Sequence, residues 1–364
     1  MYEDYLPAGV TSKMVEGVNG LSMHILEAGD SDAPLLLLLH GFPELSFSWR
    51  KVIGPLAEAG WRVVAPDQRG YGGTTGWTSG YDVDLLEYSF ASLTDDVAAL
   101  VKSLGYDRAA LVGHDFGSPV AAWSALLRPD LYSSVALMSA PFAGPPGTGP
   151  SPAEDLHDQL ATLTPPRRHY QWRYGDREAE ADFLSHPDGF DAVFRAYYHC
   201  KSGDWAENRP HKLPDWSAAS LAVMPRYYIM DLGVGMGDQA MGMAPQSGAS
   251  CAWLTKEELH VYTDAFRDTG MQASLNWYRN STSPEHREWA GKLAGQTIDI
   301  PACFIAGAQD WGVWQAPGAL EAMEEKACTN YLGRTLIEGA GHWVQQEQPE
   351  QVVKALKKFH DQVL

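Results

Sequence analysis

An acidic residue stands at the centre of a short glycine-flanked motif, GHDFG, at residues 113–117. The motif follows the apolar segment AALVGH and precedes the helix-like segment SPVAAWSALLRP. This strand–turn–helix order is typical of a nucleophile elbow, a sharp turn that exposes one side chain at the end of a strand. A simpler interpretation is a strand-end turn in which Asp115 caps the following helix. The motif alone does not separate the two.

Two later segments carry an acid and a histidine, each beyond a predicted strand. Asp310 lies in GAQDWGVW (307–314) and His342 lies in GAGHWVQQEQP (339–349). Taken singly, a strand-end acid is often a cap and a loop histidine is often only solvated. Together with Asp115 they follow the chain order nucleophile, acid, histidine, which is the order of the α/β-hydrolase arrangement.

An upstream segment, HGFPE at residues 40–44, could supply backbone hydrogen-bond donors to such a site. It follows the apolar run LLLLL, so the backbone N–H of Phe42 can point into a pocket at the strand end. With the backbone N–H of Phe116, it would form a pair of donors aimed at one point, an oxyanion hole.

The carboxylate at position 115 restricts the chemistry. A carboxylate that attacks an acyl carbon would give an anhydride, whereas one that attacks a saturated carbon gives an ordinary ester. Asp115 therefore predicts displacement at an sp³ carbon with an oxygen or halide leaving group. His342, oriented by Asp310, is then available to remove a proton from the water that hydrolyses the ester.

The chain resembles the epoxide hydrolases of the α/β-hydrolase fold, of the soluble and microsomal kind. The resemblance covers nearly the whole length and rests on HGFPELSFSWR, VVAPDQRGYGGT, LVGHDFGSPVAAW, LNWYRN and GAGHWVQQEQPEQV. The motifs at 40–44, 113–117 and 342 are shared with dehalogenases, whereas LNWYRN (275–280) is more specific. The resemblance implies hydrolysis of an oxirane to a vicinal diol.

Two lid tyrosines of that family donate to the epoxide oxygen. Tyr278 in LNWYRN matches the second donor, and Tyr170 in RRHYQW is the best match for the first. A phenol with a pKa near 10 can donate without being ionised at rest. Alternatives for the first donor remain Tyr174, Tyr197 and Tyr198, with His169 less favoured.

Two other functions fit parts of the pattern. A dehalogenase would share Asp115 and His342, but its halide donors would be a tryptophan after the nucleophile or an asparagine in the oxyanion loop. Those positions hold Phe116 and Phe42. The other alternative is a ligand-binding receptor that has lost turnover, which the complete catalytic set disfavours.

The elements that must position these residues alternate along the chain. Strand-like segments occupy 21–29, 34–40, 61–67, 109–115, 133–140, 300–310 and 333–342. Helix-like segments occupy 46–59, 88–104, 117–128 and 349–362. This pattern predicts a mostly parallel sheet covered by helices, and the motif order and the resemblance imply an α/β-hydrolase fold, with helices on both faces of the sheet. Residues 1–140 and 296–364 would form the core, and 141–295 an inserted helical lid, with 233–250 as a surface loop.

The composition of the chain limits the classes of molecule that it is expected to bind. The 364 residues carry a net charge of −19 and no basic run, which disfavours nucleic acid. No signal peptide, membrane-length apolar run, metal-ligand spacing or phosphate-binding motif is evident, so we expect a cytoplasmic enzyme without metal or cofactor. Its partner would be a small apolar epoxide, aryl or alkyl; a homodimer is left open.

Smaller assignments complete the expected site. Phe42, Phe116, Trp311 and Trp343 are predicted to line the substrate pocket. The turn DQRGYGGT at 67–74 is interpreted as structural, with Asp67 and Arg69 paired locally.

Overall fold

The computed structural model describes residues 3–147, 155–245 and 249–363. Ten strands occur in this part of the chain: β1 Thr11–Val18, β2 Leu21–Ala28, β3 Leu35–Leu39, β4 Arg62–Pro66, β5 Ala109–His114, β6 Tyr132–Met138, β7 Arg167–His169, β8 Ile229–Asp231, β9 Ala302–Gly307 and β10 Tyr331–Ile337. Eight of them form one sheet in the order β1-β2-β4-β3-β5-β6-β9-β10.

The sheet is mostly parallel, as expected. β1 pairs antiparallel with β2 and β2 with β4, and all the later neighbours are parallel. The five leucines of β3 are all buried, because helices cover both faces of a central parallel strand. β1 was not among the predicted strands: its sequence TSKMVEGV is largely exposed at the sheet edge and lacks an apolar run.

The helices fall into two groups. The first flanks the sheet: α1 Arg50–Glu58, α2 Phe90–Ser103, α3 Gly117–Leu127, α13 Ala319–Ala322, α14 Val344–Glu347 and α15 Pro349–His360. Among these, α1 packs on β4 and α15, whereas α3 packs on β5, β6 and α2. The second group lies in the chain between β6 and β9: α4 Leu156–Ala161, α5 Tyr170–Tyr174, α6 Ala179–Leu184, α7 Phe190–Lys201, α8 Ala218–Leu221, α9 Met236–Met243, α10 Lys256–Thr269, α11 Gln272–Ser281 and α12 Pro284–Gly291.

This second group differs from the predicted lid in two respects. It contains a small antiparallel sheet of β7 and β8, although no strand was expected there. The expected surface loop at 233–250 contains α9, because Met236 and Ala240 lie four residues apart, share one helix face and are buried in a helix that packs on α7. Residues 246–248 lie outside the described part. The division into core and lid domains at residues 140 and 296 remains a prediction.

Polar contacts tie this helical region to the sheet region. The Trp277 indole N–H donates to the carbonyl oxygen of Arg69 at 3.0 Å, and the Tyr198 hydroxyl donates to the carbonyl oxygen of Pro43 at 2.9 Å. Both acceptors lie just beyond β4 and β3, so the helices cover the carboxyl ends of the parallel strands. Open α/β sheets bind ligands at that edge. In the described residues, every helix is too short or too polar to span a membrane.

The turn at 67–74 is structural, but its expected internal pair does not form. Arg69 instead forms a bidentate ion pair with Asp96, at 2.7 and 2.8 Å, because both side chains are buried and the Asp96 carboxylate matches the guanidinium fork. Asp67 pairs with the His24 imidazole at 2.8 Å and accepts from the backbone N–H of Ser46. The turn is therefore held by partners from other elements and by an internal hydrogen bond, from the backbone N–H of Gly73 to Asp67 Oδ2 at 2.9 Å.

Candidate active site

Asp115 stands on a tight turn between β5 and α3. Its φ is +52°, a left-handed conformation that is uncommon for a residue with a side chain. A Cβ added at Gly113 would lie 2.1 Å from the carbonyl oxygen of Gly117, so the turn can close this tightly only with glycine there. α3 has no side-chain cap, and the Asp115 carboxylate points to other partners, which favours the elbow interpretation over the cap.

The fold brings Asp115, His342 and Asp310 together from three strand ends. His342 Nε2 lies 3.1 Å from Asp115 Oδ2, and His342 Nδ1 lies 3.1 and 3.2 Å from the two carboxylate oxygens of Asp310. Asp310 Oδ1 also accepts from the backbone N–H of Gly312 at 2.7 Å. All three side chains are buried, so their mutual orientation is held without bulk water.

The electrostatics of the three groups are coupled. Burial by itself lowers the pKa of His342 and the Lys201 charge lowers it further, but the carboxylates of Asp310 and Asp115 outweigh both and raise it to about 9. Burial alone would raise the pKa of Asp115, yet its hydrogen bond and charge interaction with His342 hold it well below the usual range. The pKa of Asp310 is also lowered, since His342 more than offsets burial. The resting site therefore holds two carboxylates around one imidazolium.

The predicted oxyanion loop contacts the other oxygen of Asp115. The backbone N–H of Phe42 donates to Asp115 Oδ1 at 2.9 Å. A Cβ added at Gly41 would lie 2.4 Å from Asp115 Oδ1 and 2.7 Å from the backbone nitrogen of Phe116. The loop thus approaches both the carboxylate and the second predicted donor, and only glycine at 41 allows this approach. The two oxygens of Asp115 have distinct environments: one faces a backbone donor and the other faces the histidine.

A buried link between the oxyanion loop and the histidine loop was missed from the sequence. His114 Nδ1 lies 2.6 Å from Glu44 Oε2, and its Nε2 donates to the carbonyl oxygen of His342 at 2.7 Å. Glu44 also accepts from the backbone N–H of Gly41 at 3.1 Å. Glu44 and His114 both lie inside quoted motifs, but nothing in their spacing shows that they meet.

Tyr170 and Tyr278 lie in the helical region, on α5 and α11, and both phenols are close enough to Asp115 to be affected by its charge. Their ring centroids are 6.0 Å apart, and both rings are buried. Burial, together with the negative charge of Asp115, raises the pKa of each phenol well above its usual value, so both remain protonated. The Tyr170 hydroxyl also donates to Gln315 Oε1 at 3.2 Å.

The alternative donors have other partners. The Tyr198 hydroxyl donates to the carbonyl oxygen of Pro43. The Tyr174 hydroxyl donates to the Tyr197 hydroxyl at 3.2 Å. His169 caps α5 through the backbone N–H of Gln171, and burial lowers its pKa to about 3. Tyr174 and Tyr197 nevertheless lie in the same aromatic cluster as Tyr170.

The four predicted pocket residues fall in two places. The rings of Phe42 and Phe116 pack edge-on against Tyr278, with centroids at 5.4 and 4.9 Å. Trp343 contacts the His342 ring at 4.7 Å and stacks on Tyr198 at 4.3 Å. Trp311 packs against His211 at 5.0 Å. The two phenylalanines thus adjoin a predicted donor, and their role as pocket wall remains a prediction, as it does for both tryptophans.

Lys201 is a further residue that the sequence did not single out. It ends α7, it is only 3% exposed, and its carbonyl oxygen accepts from the backbone N–H of His342 at 2.8 Å. A lysine within the aromatic segment FRAYYHCKSGDW gives no signal of burial by itself, because lysines are almost always exposed.

Comparisons with known proteins agree with this geometry. The family model described as "alpha/beta hydrolase fold" matches residues 34–349. Epoxide hydrolase A of Mycobacterium tuberculosis is 34% identical over 363 residues, covering 96% of this chain and 98% of its own. Among solved structures, an epoxide hydrolase from an endophytic Streptomyces superposes with a TM-score of 0.79 at 31% identity, covering 98% of this chain and 96% of its own. Epoxide hydrolase A from Mycobacterium thermoresistibile gives 0.77 at 33% identity, with coverages of 96% and 98%.

Proposed function

Since the chain belongs to the epoxide hydrolases of the α/β-hydrolase fold, we propose that it converts apolar epoxides and water to vicinal diols through an ester on Asp115. The observation that carries the mechanism is the unequal environment of the two Asp115 oxygens. Oδ1 is held by the Phe42 N–H, and Oδ2 lies beside His342 Nε2. Both tyrosines lie close enough to Asp115 for its charge to raise their pKa.

Ring opening forms the ester. Asp115 Oδ2 attacks an oxirane carbon, the carbon–oxygen bond breaks, and the alkoxide takes a proton from Tyr170 or Tyr278. An alkoxide is far more basic than a phenolate, so this transfer is favourable even from a phenol whose pKa is raised by burial. Both tyrosines act in the protonated form in which the buried site holds them.

Ester formation also prepares the second step. It neutralises Asp115, one of the two carboxylates that raise the pKa of His342. The imidazolium then gives up its proton more readily; this proton restores the phenol from the phenolate and leaves a neutral imidazole as the base for water. Water attacks Asp115 Cγ, negative charge develops on Oδ1 next to the Phe42 N–H, and the bond from Cγ to the alkyl oxygen breaks. His342 passes the proton taken from water to the leaving alkoxide, and the new carboxylic acid of Asp115 then protonates His342, which restores the resting carboxylate and imidazolium.

The substrate class is inferred from the cluster around the nucleophile. The rings of Phe42, Phe116 and Tyr174 each pack against the Tyr278 ring, with centroids 4.9 to 5.4 Å apart, and none of these side chains carries a charge. An aryl or alkyl substituent on the oxirane fits such a wall better than a charged group does. The cytoplasmic location and a homodimer stay predictions.

A trapped intermediate tests the mechanism. His342→Gln should form the ester and fail to hydrolyse it, so intact-protein mass spectrometry after incubation with styrene oxide should show the mass of one epoxide added. Asp115→Ala is the matched control and should show no adduct. In a single turnover in ¹⁸O-water, the wild type should place the label in the Asp115 carboxylate and leave the diol unlabelled. Label in the first diol, or no adduct on His342→Gln, would rule out the ester mechanism.

A further inference from the structure

A buried ammonium group stands close to the candidate active site without a carboxylate partner. Lys201 is 3% exposed, and among the described residues no carboxylate lies within 4.0 Å of its Nζ atom. Aromatic faces surround it instead. Its Nζ lies between 5.2 and 6.0 Å from four ring centroids, those of Tyr197, Tyr227, Tyr228 and Trp343. Buried charges are ordinarily paired, so an ammonium held only by π faces and a phenol is an exception that calls for a counter-charge.

Two hydroxyl groups link this ammonium to Tyr174, whose ring packs against both predicted epoxide donors. Lys201 Nζ donates to the Tyr197 hydroxyl at 3.4 Å, and the Tyr174 hydroxyl donates to the same oxygen at 3.2 Å. The Tyr174 ring in turn packs against Tyr170 and Tyr278, with centroids at 5.4 and 4.9 Å. Tyr197 thus accepts two hydrogen bonds, one of them from a cation, and Tyr174 lies between this pair and the phenols that face the nucleophile.

Lys201 also contacts the loop that carries His342. Its carbonyl oxygen holds the backbone N–H of His342 at 2.8 Å, and both side chains lie against the Trp343 indole. Its charge lowers the pKa of Asp115 and that of His342. The groups that face His342 are Asp115, Asp310, the His114 ring at 5.1 Å and this ammonium.

The negative charge of the reaction moves between the two places that Lys201 adjoins. In the mechanism proposed above, Asp115 loses its charge when the ester forms, and a phenolate of the Tyr170–Tyr278 pair gains it. The lysine side chain lies near both positions, so it needs no rearrangement during the step. Such fixed, preorganised charge is effective in a dry site.

We propose that Lys201 is an electrostatic positioning residue for ring opening, which stabilises the developing phenolate through Tyr197 and Tyr174. This inference rests on the ester mechanism. It also predicts a second effect: by opposing the two carboxylates, the ammonium keeps His342 closer to the neutral form that ester hydrolysis requires.

The test is a comparison of Lys201→Met with Tyr197→Phe in single-turnover reactions with styrene oxide. Methionine removes the charge and leaves an apolar side chain of similar length, which the aromatic surroundings accept. We expect ester formation to slow about 10- to 100-fold in Lys201→Met, the range for losing a buried charged hydrogen bond. The pH profile of ester hydrolysis should move to higher pH. Tyr197→Phe interrupts the chain but keeps the charge, so ester formation should slow less and the hydrolysis profile should not move.

Lys51→Met is the matched control. Lys51 is also partly buried and donates to two backbone carbonyl oxygens, those of Trp253 and Gln346, which join the helical region to the core. Its loss should lower thermal stability without changing either kinetic readout. Ester formation by Lys201→Met within about twofold of the wild type, or a slower reaction with an unmoved hydrolysis profile, overturns the inference. Adducts on Asp115 when these substitutions are combined with His342→Gln show that the ester mechanism stands independently; the absence of an adduct even from His342→Gln alone refutes that mechanism instead.

Discussion

The two sides of the candidate active site hold their polar groups by different means. On the sheet side, the buried acids and the histidine are each fixed by hydrogen bonds, from the 2.7 Å contact of Asp310 with the Gly312 N–H to the 3.1 Å contact of His342 with Asp115. On the helical side, Tyr170 and Tyr278 are held chiefly by their rings, which pack edge-on against other aromatic residues.

This difference follows from charge. A buried carboxylate or imidazolium is stable only when fixed dipoles or opposite charges replace water, so the sheet side supplies them from strand ends and tight turns. A neutral phenol needs no such partner at rest, and an apolar aromatic wall is a suitable place for it. Burial that would neutralise an acid leaves a phenol protonated, which is the form that donates to an alkoxide.

The largest effect is expected from removing the predicted phenolic donors on the helical side. Tyr170→Phe or Tyr278→Phe alone should slow ester formation by roughly 10²–10³, the usual loss for one preorganised donor, or less where the partner compensates. The double variant should nearly abolish ester formation, because no proton source remains for the alkoxide. Stopped-flow single turnovers with an epoxide measure this step.

The control for these variants is Tyr132→Phe, since Tyr132 is buried in β6 away from the site. It should react at the wild-type rate. A double variant that forms the ester at nearly the wild-type rate would contradict the donor role. If only Tyr278→Phe is slow, the first donor must be sought at Tyr174 or Tyr197.

A smaller effect, confined to the sheet side, is expected from Asp310→Asn. The amide can donate to His342 Nδ1 and so favour the wrong tautomer, and it cannot stabilise the imidazolium. Ester hydrolysis should slow by roughly 100-fold or more, whereas ester formation should change little. Asp96→Asn removes another buried, paired carboxylate and should leave ester hydrolysis unchanged. Equal slowing of both steps in Asp310→Asn would remove the distinction between the two sides.

The sheet side was the more predictable from sequence. Apolar runs such as LLLLL and AALVGH mark buried parallel strands. Asp115, Asp310 and His342 follow the parallel strands β5, β9 and β10, whose carboxyl ends lie at one edge of the sheet. The edge strand β1 escaped prediction because an exposed strand needs no apolar run.

The helical side was predictable only where a motif was specific. LNWYRN led to Tyr278, whose donor role stays a prediction. The Tyr174–Tyr197–Lys201 chain depends on how α5 and α7 pack, which no local pattern encodes. The same limit explains the Arg69–Asp96 pair, whose members lie 27 residues apart on different elements. Short-range periodicity predicts which face of a helix or strand is buried. It does not predict which polar groups from distant elements will pair in the interior.

The smallest expected effect concerns stability, and it sharpens the charge difference between the two sides. The pKa of His342 is raised from 6.5 to about 9 in the folded protein, since Asp310 and Asp115 outweigh burial and Lys201. A histidine with a raised folded pKa contributes stability that is fully present below pH 6.5 and is lost as the pH rises through about 9. The free energy of unfolding, measured by urea titration between these limits, should therefore fall with pH in the wild type. His342→Gln should lack this component, so the difference in the free energy of unfolding between the two proteins should shrink steadily between pH 6.5 and about 9.

Tyr278→Phe is the control for this measurement. The buried tyrosines on the helical side remain protonated across this pH range, so Tyr278→Phe should follow the wild-type slope. Parallel curves for the wild type and His342→Gln would mean that the two carboxylates do not hold an imidazolium between them.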